Sequence, residues 1–338
     1  MRLNLIGNGF DLYHGLPSSY YYFGCFLAEH YFDFYKDMAT MFDFTYGKSA
    51  GYPRDEEIEI CVDNVFWSRF EEKLGLLNPL WLEESLIDDL GLEYPDDPVD
   101  IDIPEVANSH KIVEKFTEWI IKTVNTTNNY RTLNRMLGED RLNIDIDDYF
   151  INFNYTQTLE KIYRIAEGQI FHIHGMCSLD GENSDLIVGH RNLKAIQRIK
   201  KQISDIEKET YYLQSQAVRN RLNEYQAELD VLRDLEKNVD VICHNMDVQL
   251  RLNKIETDEI WVWGLSCGDV DIPYIEKLRD MYPSARWKFS YYNEEERDRR
   301  DKLIDELNLE EASTFEFKGT NAKRIEDALV KQNGIVVF

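Results

Sequence analysis

Four short stretches of this 338-residue chain carry residue types and spacings that could do chemistry. The first is Gly7-Asn8-Gly9-Phe10-Asp11, which directly follows the apolar residues Leu3, Leu5 and Ile6. Two glycines one residue apart let a backbone turn tightly and approach a ligand, and amides at a helix start attract anions. Gly7, Asn8, Gly9 and Phe10 therefore predict a nucleotide-phosphate cradle. The full dinucleotide fingerprint is not met, because Leu12 stands where its third glycine would fall and Gly15 comes three residues late. Asp11 beside such a cradle would hold a ribose hydroxyl or cap the helix. The other stretches are Asn154-Tyr155-Thr156, His172-Ile173-His174-Gly175, and Gly264-Leu265-Ser266-Cys267-Gly268-Asp269-Val270-Asp271. A different chemistry stays open: Asp11, His14, His172, His174 and His190 gathered round metal ions for phosphoester hydrolysis, with His172 and His174 on one face of a strand. The Asp-x-His, Gly-Asp, Gly-Asn-His order of that enzyme class is absent.

For these stretches to act together, the elements before them must end on one rim. From Asp148 onward short apolar bursts each stop at polar residues: Tyr149 to Phe153, Gln169 to Ile173, Leu186 to Val188, and Ile260 to Trp263, with further strand-like runs at Trp287 to Tyr292 and Thr314 to Phe317. Buried strands interleaved with helices predict an α/β fold, a mostly parallel Rossmann-like sheet flanked by helices, whose ligands sit beyond the carboxyl ends of the strands. Helical spacing runs through the aromatic segment Ser18 to Tyr35, through Asn64 to Leu74, and from Glu105 to Leu137. Glu93 to Glu105, with Pro95, Pro98 and Pro104, reads as an acidic connection. Neither glycine nor proline occurs between Gly189 and Gly264, and Leu193 to Leu235 predicts a helical hairpin folded near Thr210 to Gln216, serving as a lid or dimer contact. The expected organisation is a single α/β domain over 1–338, with helical insertions at about 18–145 and a hairpin at about 191–245.

The bulk chemistry removes several classes. Sixty-three acids against 38 bases give a net charge of −25, which disfavours capture of a nucleic-acid backbone. The basic run Arg191, Lys194, Arg198, Lys200 and Lys201 reads as one solvated helix face. Five scattered cysteines without a C-x-x-C pair argue against a zinc ribbon or a disulfide framework. No run approaches the roughly 18 apolar residues of a membrane span, so no membrane partner is expected and a cytoplasmic location is.

Taken in order, the motifs resemble the bacteriophage abortive-infection family AbiH, whose opening isoleucine-glycine-asparagine-glycine-phenylalanine-aspartate and following His-Gly-Leu-Pro stand here as Ile6 to Asp11 and His14 to Pro17. Its later signatures are matched by Asn152 to Glu160, His172 to Gly175, and Gly264 to Tyr274. A more distant likeness runs to the sirtuin superfamily and its NAD-hydrolysing defence relatives, through Gly7-Asn8-Gly9, Asn154-Tyr155-Thr156, Ile173-His174-Gly175 and Gly264-Leu265-Ser266. That resemblance implies NAD as substrate or ligand, with Gly7 and Gly9 toward its phosphates and Asn154 positioning water or the nicotinamide ribose. It makes His174 the base, and puts Ser266 on the adenosine side with Asp269 or Asp271. Cleavage of an N-glycosidic bond passes through an oxocarbenium-like state, so oriented water and a neutral imidazole suffice. The chain departs from that pattern at Thr156, where an acid is usual, at Asn8 and Asp11, where small residues are usual, and in lacking the zinc module, which argues against deacetylation. The resemblance implies a phage-encoded trigger, and the hairpin is a candidate contact for a homo-oligomer. A non-catalytic NAD or ADP-ribose sensor would use the same pocket.

Overall fold

A computed structural model describes residues 1–42, 69–78, 104–179, 185–210, 216–309 and 311–337. Residues 64–68 of the expected Asn64 to Leu74 helix, the 93–103 connection and the hairpin turn at 211–215 lie outside them, while α4, Phe70–Lys73, is described.

The chain is organised by a six-stranded sheet in the order β3-β2-β1-β4-β5-β6. Its strands are β1 (Leu3–Ile6), β2 (Tyr149–Asn152), β3 (Ile170–His172), β4 (Glu259–Trp263), β5 (Arg286–Tyr291) and β6 (Ala312–Glu316), and every pairing is parallel. All four residues of β1 and of β2 are buried, as expected of central strands covered on both faces. This is the doubly wound order, which reverses direction between β1 and β4, where such sheets open a crevice at their carboxyl ends.

One face packs α9 (Val239–Leu252), α10 (Ile272–Met281) and α11 (Glu294–Glu306) through Met246, Tyr274, Ile275, Leu278 and Leu303 against Leu5, Ile151, Val262 and Phe289. The other packs Phe10 of α1 (Asn8–Tyr13), Leu159 and Phe317 against Ile6 and Phe150. Local chemistry sets the helix starts. Asn238 caps α9 and Asn293 caps α11, whose first turn carries Glu294, Glu295 and Glu296 at the positive end of the helix dipole. Thr126 likewise caps α6 (Thr127–Met136), and α12 (Ala322–Asn333) stops at Gly334 in the left-handed region.

Contacts divide the chain into two compact units, Met1–Phe23 with Phe116–Ile187 and Asn238–Val337, and Gly24–Lys115 with Val188–Lys237. The first holds the sheet. In the second, α7 (Leu193–Thr210) packs on α8 (Gln216–Asp234) through Ile196, Ile199, Leu229 and Leu232.

Two expectations are corrected here. The aromatic segment forms two helices, α2 (Tyr20–His30) and α3 (Phe32–Phe42), interrupted at Tyr31; α5 (Ser109–Trp119) follows later in the chain. Leu186 to Val188 is no strand: Leu186 and Val188 are buried, but only the Ile187 amide bonds toward β3, to the His174 carbonyl beyond the strand's end. Three apolar residues with one such bond have no ladder to join.

Candidate functional site at the strand ends

The loops after β1 and β4 touch, backbone to backbone. The Gly7 amide donates to the Trp263 carbonyl at 2.9 Å and the Gly9 amide to the Gly264 carbonyl at 2.8 Å. A Cβ on Gly9 would lie 2.6 Å from Gly264 Cα, and one on Gly264, which holds φ +59, would lie 2.4 Å from Gly9 C. The glycines are therefore required by the join between two loops at the switch point. Because the Phe10 amide also bonds inward, to the Gly7 carbonyl, and Phe10 itself is fully buried, three amides of the expected phosphate cradle are taken by protein backbone. Asn8 is engaged as well, its side chain exchanging hydrogen bonds with the Ser18 carbonyl and hydroxyl.

Asn154, at the end of β2, reaches this join: its Nδ2 donates to the Gly7 carbonyl at 3.1 Å, and its amide donates to Asn152 Oδ1 at 3.0 Å. That leaves Asn154 Oδ1 without a donor among the described residues. His174, past the end of β3, is buried among Phe153, Tyr155 and Tyr274, with Nε2 3.3 Å from the Tyr274 hydroxyl. Beyond β4, the exposed Ser266 donates to Asp271 Oδ2 at 2.6 Å and accepts from the Gly268 amide, whereas Asp269 is exposed and outside these contacts. Arg300 of α11 holds this loop from beneath, donating to the Leu265 and Ser266 carbonyls at 2.6 and 2.7 Å. Gly7, Gly9, Gly264 and Asn154 are thus in direct contact, and His174 joins the Ser266 loop through Tyr274, whose amide bonds the Asp271 carbonyl.

Asp11 corrects its expectation. The N-cap of α1 is Gly7 and no side chain caps it, while Asp11 sits one turn inside, 1% exposed. Its two oxygens accept from Thr156 and Thr158, each at 2.6 Å. Burial raises its pKa to about 6 against the two threonine bonds, and the Glu160 carboxylate adds to the rise. Thr156 therefore stands beside a carboxylate after all, one supplied by α1.

His172 and His174 do not share a face. β3 ends at His172, whose Nε2 meets Glu160 Oε1 at 2.9 Å beside Asn152, and the turn that follows carries His174 to the opposite packing layer. His14 is fully buried between the Phe10 carbonyl and the Tyr163 hydroxyl, with its pKa lowered by burial to about 4. His190 belongs to the second unit, bonds the Leu232 carbonyl and the Asn192 amide, and is likewise lowered by burial to about 4. Among the described residues no three His, Cys, Asp or Glu side chains gather to hold an ion. Cys25, Cys177, Cys243 and Cys267 are free thiols, and no described helix is long and apolar enough to cross a membrane.

Sequence reasoning passed over Thr158, Glu160, Tyr274 and Arg300 as site residues. Three of them lay inside the motifs that end at Glu160 and at Tyr274, so position in a motif was their available signal; Arg300, in an acidic helix, offered none.

The family profile described as Bacteriophage abortive infection AbiH matches residues 3–291. No curated protein and no solved structure matches the chain.

Proposed function

The chain belongs to the bacteriophage abortive infection AbiH family, so its role is anti-phage abortive infection, and from that premise we propose that it cleaves NAD to nicotinamide and ADP-ribose at the carboxyl ends of β1 to β4. The observation that carries the reading is the glycine-tight join of the β1 and β4 loops at the sheet's switch point, with Asn154 bonded to it and His174 on the adjoining strand end. Asn154, pinned through Nδ2, presents Oδ1 to orient a water without adding charge beside the sugar cation. The water oxygen bonds to the ribose anomeric carbon as the bond to the pyridinium nitrogen breaks and its electron pair returns to the ring. The water's proton passes to the His174 imidazole, which the Tyr274 hydroxyl orients. Ser266, fixed by Asp271, is the hydroxyl offered from the β4 side.

Purified protein incubated with NAD should release nicotinamide, and His174→Ala or Asn154→Ala should slow release by about 10²-fold. NAD should also fall in infected cells carrying the wild type, which covers a protein that stays silent until a phage trigger arrives. Release or depletion that persists in the double variant would overturn these roles. The sensor reading is favoured by one feature, that three amides of the cradle and His174 Nε2 already have protein partners; its signature is NAD binding without nicotinamide release in either setting.

A further inference from the structure

Glu160 sits on a π-helical turn, Leu159–Tyr163, that follows β2. Such turns are uncommon and concentrate at functional sites. Its side chain is nine-tenths buried, and Oε1 is held by His172 Nε2 at 2.9 Å. Oε2 is buried and accepts no hydrogen bond from the described residues. Buried acceptors are normally satisfied, and a charged one left bare is costly. The cost is deepened by a second buried carboxylate, Asp11, whose proton affinity Glu160 raises. His172 is one-seventh exposed, so the pair borders solvent at the carboxyl ends of β2 and β3, where a sheet of this order takes its ligands. His172 is also tied through Asn152 to the amide of Asn154.

We infer that Glu160, held by His172, forms a hydroxyl-accepting subsite for the ribose of a ligand, its bare oxygen receiving a ribose O–H. A metal ion does not explain the oxygen, since no third ligand lies near it among the described residues. A hydroxyl fits because it donates one hydrogen bond without bringing charge, and carboxylates accept ribose hydroxyls in nucleotide sites at the carboxyl ends of such sheets.

The proposal rests on the nucleotide reading above, and its test separates the two. Full-length wild type and Glu160→Gln are compared by thermal unfolding without ligand, then by calorimetric titration with NAD and with ADP-ribose, and by thermal shift with D-ribose. The amide keeps an acceptor for His172 and puts an NH2 group, which cannot accept a ribose O–H, where the bare oxygen lies; unfolding without ligand checks that the variant is folded. Its affinity for both nucleotides should fall tenfold or more, and D-ribose should stabilise wild type but not the variant. A folded variant that binds NAD, ADP-ribose and ribose as wild type does overturns the proposal. Should wild type bind ribose through Glu160 and neither nucleotide, the nucleotide reading falls and the subsite stands.

Discussion

Asp11 and His14 lie three residues apart on α1 and its C-cap, are both buried, and titrate in opposite senses. Asp11 in the folded chain holds its proton up to about pH 6 against an ordinary 3.8, so the fold binds more protons than the unfolded chain between those values. Its contribution is most favourable below the lower value and is lost as pH rises to the upper one. His14, lowered from 6.5 to about 4, does the reverse, and its contribution is lost as pH falls through that window. Each two-unit displacement corresponds to roughly 3 kcal/mol, so the two largely offset. Asp11→Asn removes one side of the balance. Relative to wild type, its stability in urea should rise between about pH 4 and pH 6.5 by a few kcal/mol, on the order of the displacement above. An unchanged difference across that range would show Asp11 ionised at its ordinary value. The sequence exposed Asp11 as a notable acid after a glycine pair, but not its partners: Thr156 and Thr158 lie 145 and 147 positions away. A cap is a local event readable from neighbours, and a clamp across the chain is not.

At the scale of elements, the strands were legible because each is a short apolar run ending on polar groups, and their common direction followed from the helices between them. The reason for the glycines was not legible. A sequence shows that Gly7, Gly9 and Gly264 share unusual freedom, yet the join that needs it is made by two loops more than 250 residues apart. That join predicts a specific fragility. Gly264→Ala combines a left-handed backbone with a Cβ 2.4 Å from the Phe10 amide nitrogen, and should cost roughly 2–5 kcal/mol. Gly9→Ala, whose Cβ would meet Gly264 Cα at 2.6 Å, should cost a similar amount through the same contact. Denaturant unfolding of the double variant should then fall well short of the sum, since one forced separation relieves both clashes. Full additivity would mean that the loops fail independently. Leu186 to Val188 teaches the complementary lesson, that apolar content predicts burial and needs a neighbouring ladder to become a strand.

At the scale of the whole molecule, the charge of −25 bears on any anionic ligand, NAD included. Acidic side chains spread over the surface build a repulsive field, whose reach is about 30 Å at 0.01 M salt and about 8 Å at 0.15 M. A dinucleotide with two phosphates approaches against that field, so screening should speed its arrival and leave departure little changed. The expected outcome is tighter NAD binding, chiefly through a faster association rate, as salt rises across that range, measured by stopped-flow or calorimetry on the full chain. Proteins that read phosphates through a basic surface behave in the opposite way, losing affinity with salt. Weaker NAD binding at higher salt would therefore locate a strong local cation field at the strand ends. Arg300 is the group there to test, since it lies buried beneath the Ser266 loop with backbone carbonyls as its hydrogen-bond acceptors. Arg300→Lys keeps the charge and loses the three-carbonyl clamp, so a salt response that survives it belongs to the charge and one that vanishes belongs to the loop's shape.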